Sequence, residues 1–552
     1  MSITTVCPQG TDHPGDCEVW NDSKLWDPSL FKEEEAKIIF RPGEYRAHQR
    51  IAVGNHVTIT GQVEIPLPSD RLKQVVRDPS KQAVFICLPK EPNPNKKGGV
   101  ETAGFRFEKS VGSSVSDLYL LGYQGVDFLG ATNTSARQVV VQHYVGDWPN
   151  GYYCWFQQTG AFFVHGGSTG TKLLNCSGVS QHHTFLNHDG GWIRNSLWEG
   201  CRSFYAGCGK EPSNLSKPAE YGTGRADWTV GGDGGEECDI DGFIARWCTF
   251  YGAGKVGLYW EPESTGLATR GKVFIRKNIT VEDCLFGRNG RYGGGVNGSP
   301  MLCKESESCG LFMGSGTARR NYAWDNGKAN YYARQEFNVD PLVYEHNVSV
   351  GSMIGFALEL AGAKATYRNN IVKTPLKFGF KLMGSGPVVG IDNAVEVSGE
   401  VEAYHLGGYT RIYLQDSWDK GHQALVKKTS AETFWGMPKL SLSGTVKNSG
   451  GPLYIVHPGT SVQTSGITLT RSNKVLEIVP PFTLDEVPVV DTPEVPPVVL
   501  PPDNEQGYLI PTDYCVWVVT PDRGPHQLQT PFLDDQDRRW FTNGRKYTPE
   551  VE

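Results

Sequence analysis

The residues best suited to chemistry lie in one acidic stretch, Gly231-Gly232-Asp233-Gly234-Gly235-Glu236-Glu237-Cys238-Asp239-Ile240-Asp241-Gly242. Alternate residues of a strand share a face, so Glu237, Asp239 and Asp241 are expected to point the same way. Three carboxylates on one face repel each other, which raises their pKa values or recruits a cation. With Asp233 they supply candidates for the general acid and base of glycoside hydrolysis. The same cluster, 233–241, offers oxygen ligands to Ca²⁺. A solvated acidic turn accounts for these residues as well, since carboxylates mostly face water.

A second group, His182-His183 with His188-Asp189, precedes this stretch. Histidine beside aspartate exchanges protons near neutral pH, so His183 and His188 are candidates for substrate contact, with a plain loop role as the alternative. Aromatic residues in loops, Tyr221 and Trp228, offer faces on which sugar rings stack. Arg276 and Arg291 would hold uronate or sulfate groups.

The elements that position these residues repeat: a short strand, a bend at Asn, Asp or Cys, a second short strand, then a Gly-rich loop. The clearest copy is Ile279-Thr280-Val281-Glu282-Asp283-Cys284-Leu285-Phe286. Ile279 and Val281 alternate inward, then the alternation slips by one so that Cys284 and Phe286 take over. Such a slip needs a left-handed backbone, which Asn and Asp tolerate best after Gly. Asn347, Asn370 and Asn393 mark the register at steps of 370 − 347 = 23 and 393 − 370 = 23. Taking Cys176 and Ser196 as marks gives 196 − 176 = 20. Strand repeats with a period in the twenties are the signature of a solenoid, in which small polar side chains stack inside the bend and each coil buries its inner face on its neighbours.

These repeats, with the entry segment Arg41-Pro42-Gly43-Glu44-Tyr45 and Val57-Thr58-Ile59-Thr60-Gly61, resemble the right-handed parallel β-helix of pectate-lyase-like proteins over roughly residues 35–475. The resemblance implies an all-β fold. The polygalacturonase pattern N-T-D … D-D … G-H-G … R-I-K and the pectate-lyase pattern W-I-D-H are both missing. No motif therefore assigns an activity.

Residues 1–34 read as an N-terminal cap or attachment segment, 35–478 as the parallel β-helix, 479–502 as a Pro-rich linker and 503–552 as a C-terminal arm. The Pro/Val/acidic tract favours extended polyproline II. Segments 205–236 and 287–318 interrupt the repeat, and insertions in a solenoid often build its binding groove. Thirteen Cys is an odd number. Cys176, Cys248 and Cys284 occupy bend positions as small buried residues, while Cys7 with Cys17, or Cys303 with Cys309, would close small loops under oxidising conditions.

A net charge of −7 with both signs interspersed argues against nucleic acid as a partner, and no apolar run is long enough for membrane insertion. The start Met1-Ser2-Ile3-Thr4 lacks the basic and apolar regions of a secretion signal. Three functions are open. The first is a tailspike-like phage virion protein that binds host-surface polysaccharide, with or without cleaving it, joined to other virion subunits through its termini, with a homotrimer among the assemblies open to it. The second is an extracellular polysaccharide lyase or glycoside hydrolase. The third is a non-enzymatic structural component of a virion or surface assembly. Fold alone does not choose among them.

Overall fold

In the computed structural model, the structure describes residues 2–10, 17–20, 30–47, 50–87, 104–122, 125–143, 160–180, 183–188, 191–206, 232–236, 239–260, 276–290, 308–334, 341–359, 365–383, 387–397 and 401–407. It also describes the strands at 439–448, 454–456, 461–463, 467–470, 517–520, 524–527, 531–533 and 539–541.

The coil forms as the sequence pattern requires. In Arg276–Glu282, Ile279 and Val281 point inward and are buried; Asp283 takes a left-handed φ of 54°, and Leu285–Gly287 continues with Cys284 and Phe286 buried. A third strand, Cys309–Met313, closes the turn before Gly316–Arg319 starts the next coil in parallel register with the last. The first and second strands of successive coils join one 28-stranded sheet, and the third strands form a 13-stranded sheet. Every pair within these two sheets is parallel, and the chain is a right-handed parallel β-helix.

Left-handed residues line one edge of the stack: Asn175, Gly200, Trp247, Asp283, Arg320, His346, Asn369 and Asp392. The residue after each points inward, giving a ladder of Cys176, Cys201, Cys248, Cys284, Asn321, Asn347, Asn370 and Asn393, all buried. The backbone N–H and Nδ2 of Asn347 both donate to Oδ1 of Asn370 at 3.0 Å, and those of Asn370 donate to Oδ1 of Asn393 at 3.0 and 2.9 Å. Nδ2 of Asn370 also donates to the Tyr344 carbonyl at 2.9 Å. The cysteines serve the same position with one weaker donor, as Cys248 Sγ meets the Trp198 carbonyl at 3.4 Å and Cys284 Sγ meets that of Ala245 at 3.6 Å.

The steps of 23 are therefore true coil lengths, but the step of 20 is not. Ser177 pairs with Arg202, so Cys176 stacks on Cys201 at a step of 201 − 176 = 25. Asn195 is left-handed, with φ 50°, but it kinks the single strand Trp192–Glu199 in a separate row with Asn133 and Asn278.

Within the segment expected as a cap, Ile3–Cys7 pairs in parallel with Lys37–Phe40 and so supplies the first strand of the stack. The Cys7–Cys17 disulfide ties down the return, and Trp20 covers the end of the core with its ring 6.1 Å from Phe40, 5.9 Å from Tyr45 and 5.8 Å from Phe85. Cys309 is buried at the start of its strand, whereas Cys303 lies outside the described residues. The excursion after Gly61 runs along the outside of the second strands. Ile65 accepts from Gln138, Pro68 and Asp70 accept from Arg202, and Arg71 reaches the Cys248 carbonyl at 2.7 Å. Residues 479–502 lie outside the described residues; beyond them Trp517–Thr520 pairs antiparallel with Gly524–Gln527, and Pro531–Leu533 with Arg539–Phe541.

Replacing Asn370 by Ala strips partners from the backbone and side-chain donors of Asn347 and from the Tyr344 carbonyl, all buried. At about 1–3 kcal/mol for each orphaned group, a loss of roughly 3 kcal/mol or more is expected in urea unfolding. Leu376→Ala, at an exposed site, is expected to change stability by less than about 0.5 kcal/mol.

Candidate functional site

The acidic and histidine segments meet at one corner of the solenoid, where third strands turn into first strands. Gly160–His165, His183–His188 and Gly232–Glu236 end there; Lys172–Leu174, Trp192–Glu199 and Asp239–Arg246 begin there. Tight turns keep these ends close. Gly166 and Gly191 have φ of 64° and 96°, and a Cβ on Gly166 would stand 2.3 Å from Leu129 Cδ1. Neither position accepts a side chain without strain.

On the third-strand side, Val126 and Phe128, then Phe162 and Val164, alternate into the core. Alternation sends Asp127, Phe163 and His165 to the outer face. Arg106 is in register with Asp127, and Asp127 with Phe163. Asp127 Oδ1 lies 2.6 Å from His165 Nε2, while its Oδ2 lies 3.8 Å from Arg50 Nη1 and 3.7 Å from Arg106 Nε. Glu108 also pairs with Arg106, at 3.3 Å. Phe163 stacks on the imidazole with centroids 3.9 Å apart. Asp127 is only 3% exposed although it faces outward, so these cations replace the water it loses. A carboxylate accepts, so in the neutral imidazole the proton sits on Nε2 and Nδ1 is the acceptor. By backbone register His188 lies beside His165, Glu236 beside His188, and Asp233 beside Leu186.

On the first-strand side, the half-buried Trp192 carries the Arg194 guanidinium 5.4 Å and Lys277 Nζ 5.7 Å from its ring centroid. Asp241 Oδ2 pairs with Lys277 at 3.1 Å, and Oδ1 accepts from Asn278 at 2.8 Å. The Asn278 hydrogen bond, and then Lys277, lower the Asp241 carboxyl below its ordinary value.

Asp239 and Asp241 lie two apart on one first strand, as the expected shared face requires, whereas Asp233 belongs to a strand of the third-strand sheet. Asp239 is buried and Asp241 is lowered rather than raised, since its neighbours are cation and amide rather than carboxylates. Glu237 lies outside the described residues. Among the described residues no three His, Cys, Asp or Glu side chains converge as metal ligands, and Glu237 and Cys238 of the stretch expected to bind Ca²⁺ lie outside them. His183 and Arg276, only 2% and 3% exposed, present almost no surface to a ligand. Tyr221, Trp228 and Arg291 lie outside the described residues.

Further round the outer face, Arg246 Nε donates to Glu199 at 2.6 Å and Arg319 Nε to Glu282 at 2.6 Å, and Arg368 pairs with Glu345. These glutamates are each neutralised by an arginine. The Asp127–His165 group escaped the sequence reading, yet it left a trace: charged residues stand at outward positions of the apolar strands Gly104–Glu108 and Val126–Leu129, with Arg106 and Asp127 a coil apart at 127 − 106 = 21.

No protein-family model and no curated protein matches the chain. Among solved structures, the catalytic unit of a thermostable GH87 alpha-1,3-glucanase from Streptomyces thermodiastaticus strain HF3-3 is similar at 8% identity and TM-score 0.38, covering 80% of this chain and 64% of that one. A GH87 alpha-1,3-glucanase catalytic domain in complex with nigerose is similar at 12% identity and TM-score 0.34, covering 79% and 63%. The periplasmic alginate epimerase AlgG is similar at 11% identity and TM-score 0.33, covering 78% of each. The chain thus spans less than two thirds of the glucanase chains.

The Asp241 pair has a definite pH dependence. Its folded pKa is depressed, so its contribution is fully present above the unfolded aspartate pKa and is lost as pH falls through the folded value. The ¹³C carboxyl signal of Asp241 in aspartate-labelled protein is expected to titrate below the ordinary value of about 3.9. In Asn278→Ala the midpoint is expected to move back up; an unchanged midpoint contradicts the assigned cause.

Proposed function

We propose that the protein acts on an anionic polysaccharide laid along this corner, with His165 as the proton-transfer group. The observation that carries the reading is the Asp127–His165 contact at 2.6 Å, set beside Arg50 and Arg106 on the outer face. The half-buried Trp192 ring, with Arg194 and Lys277 close by, supports it as a platform for a sugar that bears a carboxylate.

The reaction class that suits these groups is abstraction of the proton α to a uronate carboxylate. His165 Nδ1 takes the C5 proton, and the C5–H electron pair becomes the C4–C5 double bond. The C4–O bond breaks, and the departing sugar leaves with the glycosidic oxygen, which takes up the proton from the His165 imidazolium. An arginine offsets the charge that develops on the carboxylate. Asp127 stabilises the imidazolium formed and holds its tautomer.

His165→Ala is expected to lower turnover of uronate polymers by about 10²–10⁴-fold, read as absorbance of unsaturated uronate ends, with little change in binding. Asp127→Asn is expected to fall by a comparable factor, because its amide also satisfies the wrong tautomer. Product formation by His165→Ala at the parent rate contradicts the assignment.

The setting we propose is a virion or other extracellular assembly, with the segment after 479 as the attachment. Deleting 480–552 is expected to leave polysaccharide turnover intact and to abolish incorporation into the particle. A truncated chain that remains incorporated contradicts this attachment.

A further inference from the structure

Trp247 stands where the fold has no use for tryptophan. It occupies the left-handed edge row with φ 55°, a conformation for which a bulky side chain is a true outlier. Asn, Asp or Gly would satisfy the turn at lower cost, and Asn175, Gly200, Asp283, Asn369 and Asp392 do so in the same row. The indole does not repay its strain by packing, because it is 51% exposed, the most exposed large aromatic side chain among the described residues. Outliers of this kind cluster at functional sites, and the other bulky residues of the row, Arg320 and His346, are charged or polar rather than apolar.

The surroundings are built rather than incidental. The Arg246 guanidinium lies over the indole, 5.1 Å from the ring centroid, and its Nε is fixed by Glu199 at 2.6 Å. Half of the tryptophan remains exposed beside this cation. Along the row, Gly200, whose N–H donates to the Arg246 carbonyl at 3.0 Å, lies on one side of Trp247 and carries no side chain. On the other side Arg320 clamps Asp283 with two hydrogen bonds, Nε to Oδ1 at 2.9 Å and Nη2 to Oδ2 at 2.7 Å. The result is a single flat apolar face, rigidly backed and rimmed by fixed charges and hydrogen-bonding groups.

We propose that Trp247 is a second saccharide subsite, on the outer edge between the first and second strands of its coil, where a pyranose ring stacks on the exposed indole and its hydroxyls meet the Asp283–Arg320 pair. A protein partner would want contiguous apolar area, whereas this platform is one ring within a polar rim. The inference rests on the glycan reading above, and extends it to an edge that takes no part in the proton transfer assigned to His165.

The test uses Trp247→Asn and Trp247→Gly in the full chain, with binding measured on an array of neutral and uronate-containing oligosaccharides and stability by thermal melting. Both variants are expected to bind the parent's preferred oligosaccharide about tenfold more weakly, a loss of about 1.4 kcal/mol. They are expected to melt at or above the parent temperature, because the left-handed strain is relieved. Parent-like binding by both variants overturns the subsite even if the parent cleaves glycans. A marked fall in melting temperature in both overturns it too, since the tryptophan would then be structural. If the parent binds no oligosaccharide on the array, the glycan reading and this subsite both fall.

Discussion

Everything in this molecule hangs on one local event repeated coil after coil: a residue with left-handed backbone followed by a small polar residue pointing inward. The left-handed residue shifts the side-chain alternation by one, so that two short strands meeting at an angle both turn apolar faces inward. The inward residue then satisfies backbone groups that the bend takes out of the regular ladder. Asn does this with one acceptor and two donors, as Asn321, Asn347, Asn370 and Asn393 show by their continuous chain of hydrogen bonds. Cys does it with one weak donor in the preceding coils. Burial pushes the Cys201 and Cys284 thiols up, which keeps them protonated and suited to donating.

This economy inside frees the outside for chemistry. Because inward positions are spoken for by Phe, Val and Ile, any charged residue in an apolar strand is forced outward, and parallel register lines such residues up from coil to coil. The same rule that makes Glu199 and Arg246 neighbours makes Arg106 and Asp127 neighbours, although neither pair is adjacent in sequence. The ion pairs of the first strands are neutral rows. The Asp127 group differs because a buried carboxylate there is shared among a histidine and two arginines, leaving one imidazole nitrogen uncommitted to the aspartate.

The architecture was legible because its signal is local. Ile279 to Phe286 reads correctly from alternation and one tolerant residue, and Asn347, Asn370 and Asn393 read correctly because their coils lack insertions. Register failed at Ser196, since Asn195 is a true left-handed residue that serves a kink inside one strand and not the edge bend. The site was only half legible. Asp241 and His188 fall at the corner where we propose the site, but the sequence could not show that Lys277 and Asn278, a coil away, would hold the Asp241 carboxyl ionised. Nor could it show that His165 would meet Asp127, because that contact spans 38 residues and depends on coil length.

The proposed function puts a sugar chain along the corner between third and first strands with its reacting carbon at His165. A crystal structure of the protein with a uronate oligosaccharide bound tests it most directly. The expected result places a sugar carboxylate near Arg50 or Arg106, a C5 carbon within reach of His165 Nδ1, and a further ring against Trp192. An oligosaccharide bound only elsewhere on the solenoid, with the corner empty, would contradict the claim.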